Sequence, residues 1–276
     1  MDITAQPCIG IFDSGIGGLS VLKEIHQQLP VVPLYYVADQ AHVPYGKRDM
    51  NEIRGYAFEI SRFLIKAGAQ LIVVACNTAS AAALKPLRQK FPTIHIIGME
   101  PAVKPAVLNT RSGTVGVLAT PATFEAEVFH SLIERFASNA KVLTNTAPGL
   151  VEAVEAGEFD SPSTRKIIEN GINPMLEQGV DTVVLGCTHF PFVLPLIRDV
   201  AGGSVNIIDP SPAIAKRAEY LIKEAQIKFP RSKSSKSIFS TSGNIWKFRA
   251  MVKKILDVHE NILQLRWENQ KLVLDR

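Results

Sequence analysis

The sequence predicts an α/β protein of two similar βαβ-type halves, pseudo-symmetric, with mostly parallel sheets and a site in the cleft between them. Short β-branched apolar runs alternate with longer amphipathic segments, which is the pattern of βαβ units joined by right-handed crossovers. The runs are apolar along almost their whole length, as strands covered on both faces must be. The chain also echoes itself. VVACNTAS (73–80) resembles VVLGCTHF (183–190) with Cys76 aligned to Cys187, and IIGMEPAV (96–103) resembles IIDPSPAI (207–214) with Ile96 aligned to Ile207 at the same offset. A third echo, IGIFDSG (9–15) in VGVLATP (115–121), keeps the order and suggests a duplication.

Along the chain, strands are expected at 9–12, 34–38, 71–75, 94–98, 114–119, 141–144, 182–186 and 205–209. Helical periodicity fills the intervals at 19–29, 50–67, 79–90, 122–137, 163–178, 191–200 and 213–224. Residues 231–243, RSKSSKSIFSTSG, read as an exposed connection into a last helix over 246–256. Lys228, Arg231, Lys233 and Lys236 are taken as a solvated basic turn rather than a phosphate site.

A length of 276 residues allows one large domain or two smaller ones, and 46% hydrophobic residues suit a folded chain. A net charge of +4 is too mild to make nucleic acid the main partner. Apolar runs such as LIVVAC (71–76) fall far short of the roughly 20 residues of a membrane span. The start, MDITAQPCIGIFDSG, lacks the basic stretch and apolar core of a signal peptide, so a cytoplasmic protein with no membrane partner is expected. Three cysteines cannot form a disulfide framework and fit a reducing compartment.

Ligands of open α/β sheets bind beyond the carboxyl ends of the strands. Here those ends lead into Asp13-Ser14, Asp39, Cys76-Asn77-Thr78, Thr120-Pro121, Cys187-Thr188-His189 and Asp209. Cys76 and Cys187 stand out because they occupy matched positions of the echo, each at an expected helix start. Backbone N–H groups and the helix dipole favour a thiolate at such a position. Cys8, at the entrance of the first strand, has no such context and reads as structural.

Several chemistries could use the pair. A redox disulfide lacks the usual CxxC spacing. A zinc site built from Cys76, Cys187 and His189 lacks a closely spaced fourth ligand. A cysteine hydrolase would leave one thiol idle. Two-base racemisation uses both: one thiolate removes a proton from a stereogenic carbon and a thiol on the other face returns one.

Asp13 and His189 border the cysteines from opposite halves, where each could hydrogen-bond a thiol or move its proton. The competing readings are a helix cap for Asp13 and a satisfied, half-buried histidine for His189. Ser14, Asn77, Thr78 and Thr188 offer donors for a substrate carboxylate. Pro44, Tyr45 and Gly46 offer backbone donors, or simply a turn. DSGIGG (13–18) starts like a dinucleotide fingerprint, but position 20 is Ser. Its glycines are expected to bring backbone amides close to a small ligand.

GIFDSGIGGLSVL, YYVADQAHVPYGKR, VVACNTASA and VVLGCTHFP, in this order and spacing, resemble the glutamate racemase family of bacterial cell-wall synthesis. The likeness runs from about Ile9 through Asp209 into IIDPSPAIAKRA, and STSG (240–243) is similar to a late family motif. The resemblance implies interconversion of L- and D-glutamate without metal, pyridoxal phosphate or other cofactor, supplying D-glutamate for peptidoglycan. It implies Cys76 and Cys187 as the acid/base pair, assisted by Asp13 and His189. Substrate contacts fall on Asp13, Ser14, Pro44, Tyr45, Gly46, Asn77, Thr78 and Thr188. A further acidic residue lies in LVEAVEAGEF (150–159), placed at Glu155 with Glu152 as the alternative because the local pattern departs from the family's common form. The family's fold implies 1–98 with 210–276 as one domain and 99–209 as the other, where the echo alone would divide the chain near residue 110. The implied partner is the small-molecule substrate, with a homodimer left open.

Overall fold

Every side chain of Cys8–Asp13 (β1) is buried, the mark of a strand covered on both faces. The computed structural model describes residues 6–230, 237–257 and 262–275. After β1, α1 (Leu19–Gln28) turns Leu19, Val21, Leu22 and Ile25 inward and leads to β2 (Leu34–Ala38). The Asp49 carboxylate accepts the Asn51 N–H and so caps α2 (Met50–Lys66). Then come β3 (Ala69–Val74), α3 (Asn77–Lys90) and β4 (His95–Gly98).

The middle of the chain continues with α4 (Val103–Asn109), β5 (Thr114–Ala119), α5 (Pro121–Glu125), α6 (Glu127–Phe136) and β6 (Lys141–Asn145). It closes with α7 (Leu150–Glu155), α8 (Pro162–Leu176), β7 (Thr182–Gly186), α9 (Leu194–Ala201) and β8 (Asn206–Ile208). The remainder is α10 (Ser211–Glu224), β9 (Ile238–Thr241), α11 (Ile245–Leu256), β10 (Ile262–Glu268) and β11 (Lys271–Leu274).

These strands form a seven-stranded sheet in the order β11-β10-β9-β2-β1-β3-β4 and a four-stranded sheet in the order β6-β5-β7-β8. The α/β class with mostly parallel sheets is therefore as expected. Among the described strands only β10 and β11 pair antiparallel. The run β2-β1-β3-β4 has the same order as β6-β5-β7-β8, so β1 matches β5, β3 matches β7 and β4 matches β8. Those are the strands that echo in sequence. One continuous apolar core joins the sheets, running from Ile9, Ile11 and Val73 to Val183, Leu185 and Ile197.

Three expectations need correction. The single helix over 122–137 is two, because Ala126 takes an extended backbone (φ −70°, ψ 136°) between α5 and α6; nothing in the local composition explains the break. The helix over 191–200 begins as a 3-10 turn at Phe190–Val193 and only then becomes α9, so no α-helix starts at Cys187. The segment after residue 237 adds three strands that the apolar-run criterion missed. The β10–β11 hairpin turns through Asn269 (φ 48°) and Gln270 (φ 62°), a positive-φ pair without the glycine that usually signals it. Residues 231–236, with Arg231, Lys233 and Lys236 of the basic turn, lie outside the described residues.

Candidate active site

Parallel pairing sets neighbouring strand ends side by side. Phe12 of β1 lies opposite Val74 of β3, and Ala119 of β5 opposite Gly186 of β7. The chain beyond these ends therefore gathers at one place. Ser14, Pro44, Tyr45, Gly46, Cys76, Asn77, Thr78, Cys187, Thr188 and His189 all line one narrow pocket. Thr120 and Val151 join them. Asp13 and Glu155 stand behind the wall and act on residues in it. Asp209 does not reach the cavity; its carboxylate accepts the Ser211 N–H at 2.8 Å at the start of α10.

Cys76 is the N-cap of α3, and its sulfur accepts the Ala79 N–H at 3.4 Å. The helix start nevertheless does not deliver the expected thiolate. Burial pushes the Cys76 thiol far above its ordinary range, the nearby Asp13 carboxylate adds to the shift, and the Ala79 N–H offsets only part of it. Cys187 has a different partner: its sulfur lies 3.7 Å from His189 Nδ1. Cys8 is buried within β1, and its thiol is pushed up to about 12 by that burial, which fits its structural reading.

His189 is buried, and its Nε2 donates to Glu155 Oε1 at 2.7 Å. Glu155 Oε1 also accepts the Ile16 N–H at 2.7 Å, and Oε2 accepts the Gln40 amide at 2.8 Å. Burial raises the Glu155 carboxyl, but the His189 hydrogen bond and charge, with Gln40 and Ile16, outweigh it and hold the group below its usual range. Burial alone would lower His189; its bonds to Cys187 and Glu155 instead raise it well above the ordinary histidine value. Of the two acidic alternatives, Glu155 therefore meets His189, while Glu152 pairs with Lys47 at the surface.

Asp13 hydrogen-bonds neither thiol. Its Oδ1 accepts the Gly15 N–H at 3.0 Å, and its Oδ2 accepts the Thr188 hydroxyl at 2.9 Å. Burial raises its carboxyl, against the lowering pull of His189. Nor does it cap α1, whose N-cap is Gly18 with no side-chain bond. Because the Thr188 hydroxyl proton goes to Asp13, that oxygen faces other partners with its lone pairs.

The glycines of 13–18 correct another expectation. A Cβ on Gly15 would sit 1.9 Å from Glu155 Oε1, and one on Gly17 would sit 2.4 Å from Thr188 Oγ1 and 2.5 Å from His189 Nδ1. They let the β1–α1 loop touch the loops beside β7 and the end of α7, so their absent side chains make room for protein, not ligand. Pro44 and Gly46 flank the start of the 3-10 turn Tyr45–Lys47, and a Cβ on Gly46 would meet Thr120 Cβ at 2.6 Å.

Three sets of contacts could not be read from the sequence, which places Asp39, Thr78 and Thr120 beyond strand ends without showing their partners. Gln40 clamps Glu155, although its only local signal is its place just beyond a strand end. Thr78, Thr120 and Thr123 form a hydroxyl chain, with Oγ1 distances of 2.9 Å and 3.0 Å. Asp39 is buried and accepts from Tyr45, His42, Ser242 and Trp267, which ties the Pro44–Tyr45 loop to the last strands. Finally, both amide atoms of buried Asn77 are unpartnered, an arrangement that costs stability unless a ligand uses it. Among the described residues no group of three His, Cys, Asp or Glu side chains is arranged to hold a metal ion, and Cys76 and Cys187 are both free thiols.

Paired thiols at matched strand ends, with a histidine–carboxylate couple beside one of them, are the equipment of a proton-transferring isomerase. The chain belongs to the Asp/Glu/hydantoin racemase family, which it matches over residues 9–218, and it is an amino-acid racemase. It is 50% identical over 223 residues to a glutamate racemase of Roseiflexus sp. (strain RS-1), covering 81% of this chain and 82% of that one. The glutamate racemase of Escherichia coli, solved with L-glutamate and the activator UDP-MurNAc-Ala, superimposes with a TM-score of 0.83 at 30% identity, covering 98% of this chain and 100% of that one. That of Francisella tularensis subsp. tularensis SCHU S4, solved with D-glutamate, gives 0.82 at 28% identity, covering 96% and 98%. No described helix is long and apolar enough to cross a membrane.

Proposed function

We propose that this chain is a glutamate racemase that moves a proton between Cys76, Cys187 and the substrate Cα, supplying D-glutamate for peptidoglycan in the cytoplasm. The observation that carries this reading is that two free thiols, each beyond the end of a matching strand, line the same buried cavity. Relatives named as glutamate racemases, and solved with either glutamate isomer, support the choice of substrate.

In one direction a thiolate sulfur takes the Cα proton and becomes a thiol. The C–H electron pair moves into the α-carboxylate as the carbon flattens. The opposite thiol then gives its proton to the other face and is left as a thiolate, so charge and protons balance. At rest Cys76 is the thiol, because burial and Asp13 disfavour its anion. Beside Cys187, His189 is held by Glu155 in position to exchange a proton with the second thiol. The reverse direction starts from the exchanged pair. This sequence of steps needs neither metal nor pyridoxal phosphate.

The unpartnered Asn77 amide and the N–H groups at the start of α3 are assigned to a substrate carboxylate. Ser14, Pro44, Tyr45 and Gly46 complete the binding wall. The Thr188 hydroxyl, having given its proton to Asp13, is assigned to accept from the substrate ammonium rather than donate to a carboxylate. The same reading divides the chain into 1–98 with 210–276 and 99–209. Its support is that every strand of the seven-stranded sheet falls in the first set and every strand of the other sheet in the second.

Incubation with L-glutamate in deuterated water should give D-glutamate labelled at Cα. Cys76→Ala and Cys187→Ala should each abolish racemisation while the protein stays folded. An absence of label and of D-isomer at high enzyme concentration would overturn the reading, and faster turnover of aspartate would replace the substrate.

A further inference from the structure

The amide of Gln40 lies between the C-terminal strands and the histidine–carboxylate couple, and every hydrogen bond along that line has a fixed direction. The Gly243 N–H, which can only donate, reaches Thr241 Oγ1 at 2.9 Å. The Thr241 hydroxyl keeps its own proton free and donates it to Gln40 Oε1 at 2.8 Å. That turns the amide so its nitrogen faces Glu155 Oε2, also at 2.8 Å. The other carboxylate oxygen of Glu155 takes the Ile16 N–H and His189 Nε2, and His189 Nδ1 reaches Cys187. A reversed amide would point an oxygen lone pair at a carboxylate, so the line tolerates only one orientation.

The anchor is rigid. Thr241 is fully buried at the end of β9 and pairs with Ala38 of β2. Gly243 packs against Gln40 so closely that a Cβ there would lie 2.6 Å from Gln40 Cβ. Glu155, by contrast, is the last residue of the six-residue helix α7 and keeps some exposure to solvent. Its own helix offers it little restraint, and the clamp comes from outside.

We propose that Gln40, oriented by Thr241, is a positioning residue that pins the Glu155 carboxylate and through it sets the proton state of His189 and Cys187. The inference rests on the two-thiol reading of the site. Besides Gln40, the groups facing Glu155 are His189 from the loop after β7, the Ile16 N–H, the Asp13 carboxyl of β1 and the neutral Tyr36 phenol of β2. Glu152, one turn earlier on α7, is occupied by Lys47. The substitutions below alter none of these groups.

Gln40→Leu removes the clamp. Thr241→Val removes only the hydroxyl that orients it, and Thr241→Ser keeps that hydroxyl. A carboxylate that loses a donor binds a proton more readily, so in the first two variants Glu155 should neutralise at higher pH and hold His189 protonated less well. The acid limb of the kcat profile should move up in pH, kcat should fall about tenfold or more, and KM should stay within about twofold. Thr241→Ser should behave as the wild type. Alkylation of Cys187 by iodoacetamide, followed by mass spectrometry over a pH series, reads the same line without turnover, and its midpoint should also move up.

If folded Gln40→Leu and Thr241→Val keep the wild-type pH profile and alkylation midpoint, the proposal is overturned, even if activity falls with melting temperature. Should Gln40→Leu fail to fold, Thr241→Val against Thr241→Ser decides the question. Failure of the wild type to exchange the Cα hydrogen would sink the two-thiol reading alone, since the alkylation midpoint still tests the clamp.

Discussion

Glu155 and His189 make opposite demands on pH, and the sign of each can be worked out. The folded value of His189 lies above its unfolded 6.5, so its contribution to stability is complete below that pH and fades as pH rises toward the folded value. The folded value of Glu155 lies below its unfolded 4.5, so its contribution is complete above that pH and fades as pH falls. The melting-temperature advantage of the wild type over Glu155→Gln should therefore peak between about pH 4.5 and 6.5 and shrink on both sides. A difference that stays unchanged on both sides of that range would mean the pair is not ionised. Asn77 gives a second expectation at this scale. Its unpartnered buried amide costs the fold something, so Asn77→Leu should leave the melting temperature unchanged or higher while raising KM for glutamate about tenfold or more. Calorimetry with steady-state kinetics measures both. The cysteines were legible in the sequence because an internal echo marks them, and His189 because it stands two residues after one of them. The clamp of Gln40 on Glu155 was not, since a polar loop residue has no period and its partner lies far along the chain.

At the scale of elements, the loop between β1 and α1 is where the two sheets' loops press together. Gly15→Ala would drive a methyl group into the Glu155 carboxylate, and Gly17→Ala would drive one into Thr188 and His189. Each should lower kcat by about a hundredfold or more, because displacing the catalytic groups by an ångström is enough to do so. Gly55, exposed on α2 with nothing within 4 Å of its would-be Cβ, is the control. Gly55→Ala should stabilise the protein by about 0.5–1 kcal/mol and leave turnover alone. Denaturant titration and kinetics on the three variants test this, and a harmless Gly15→Ala would show that the loops part easily. The central strands were readable because burial on both faces demands continuous apolar runs. β9 to β11 were not: β10 reads ILQLRWE, with polar positions left partly exposed next to the edge strand β11, and its turn residues lack glycine.

For the whole molecule, the last strands complete the first sheet and also reach the site. β9 lies between β2 and β10, while Leu265 and Leu272 bury themselves against the core beneath α2. Cutting the chain after Asp257 would strip β10 and β11 and leave β9 as a bare edge, so that fragment should lose cooperative unfolding altogether. A gentler change separates support from function. Trp267 donates its indole N–H to Asp39 at 2.7 Å, and the same carboxylate receives the Tyr45 hydroxyl at 2.6 Å. Tyr45 lines the cavity. Trp267→Phe keeps an aromatic ring beside His42 and Tyr56 but removes one donor from a fully buried carboxylate. The loss should loosen the loop that carries Pro44 to Gly46, so KM for glutamate should rise about threefold or more with only a few degrees lost in melting temperature. Unchanged KM in a folded Trp267→Phe would confine the tail to a scaffolding role. A raised KM would mean that the distant end of the chain shapes the substrate wall through Asp39.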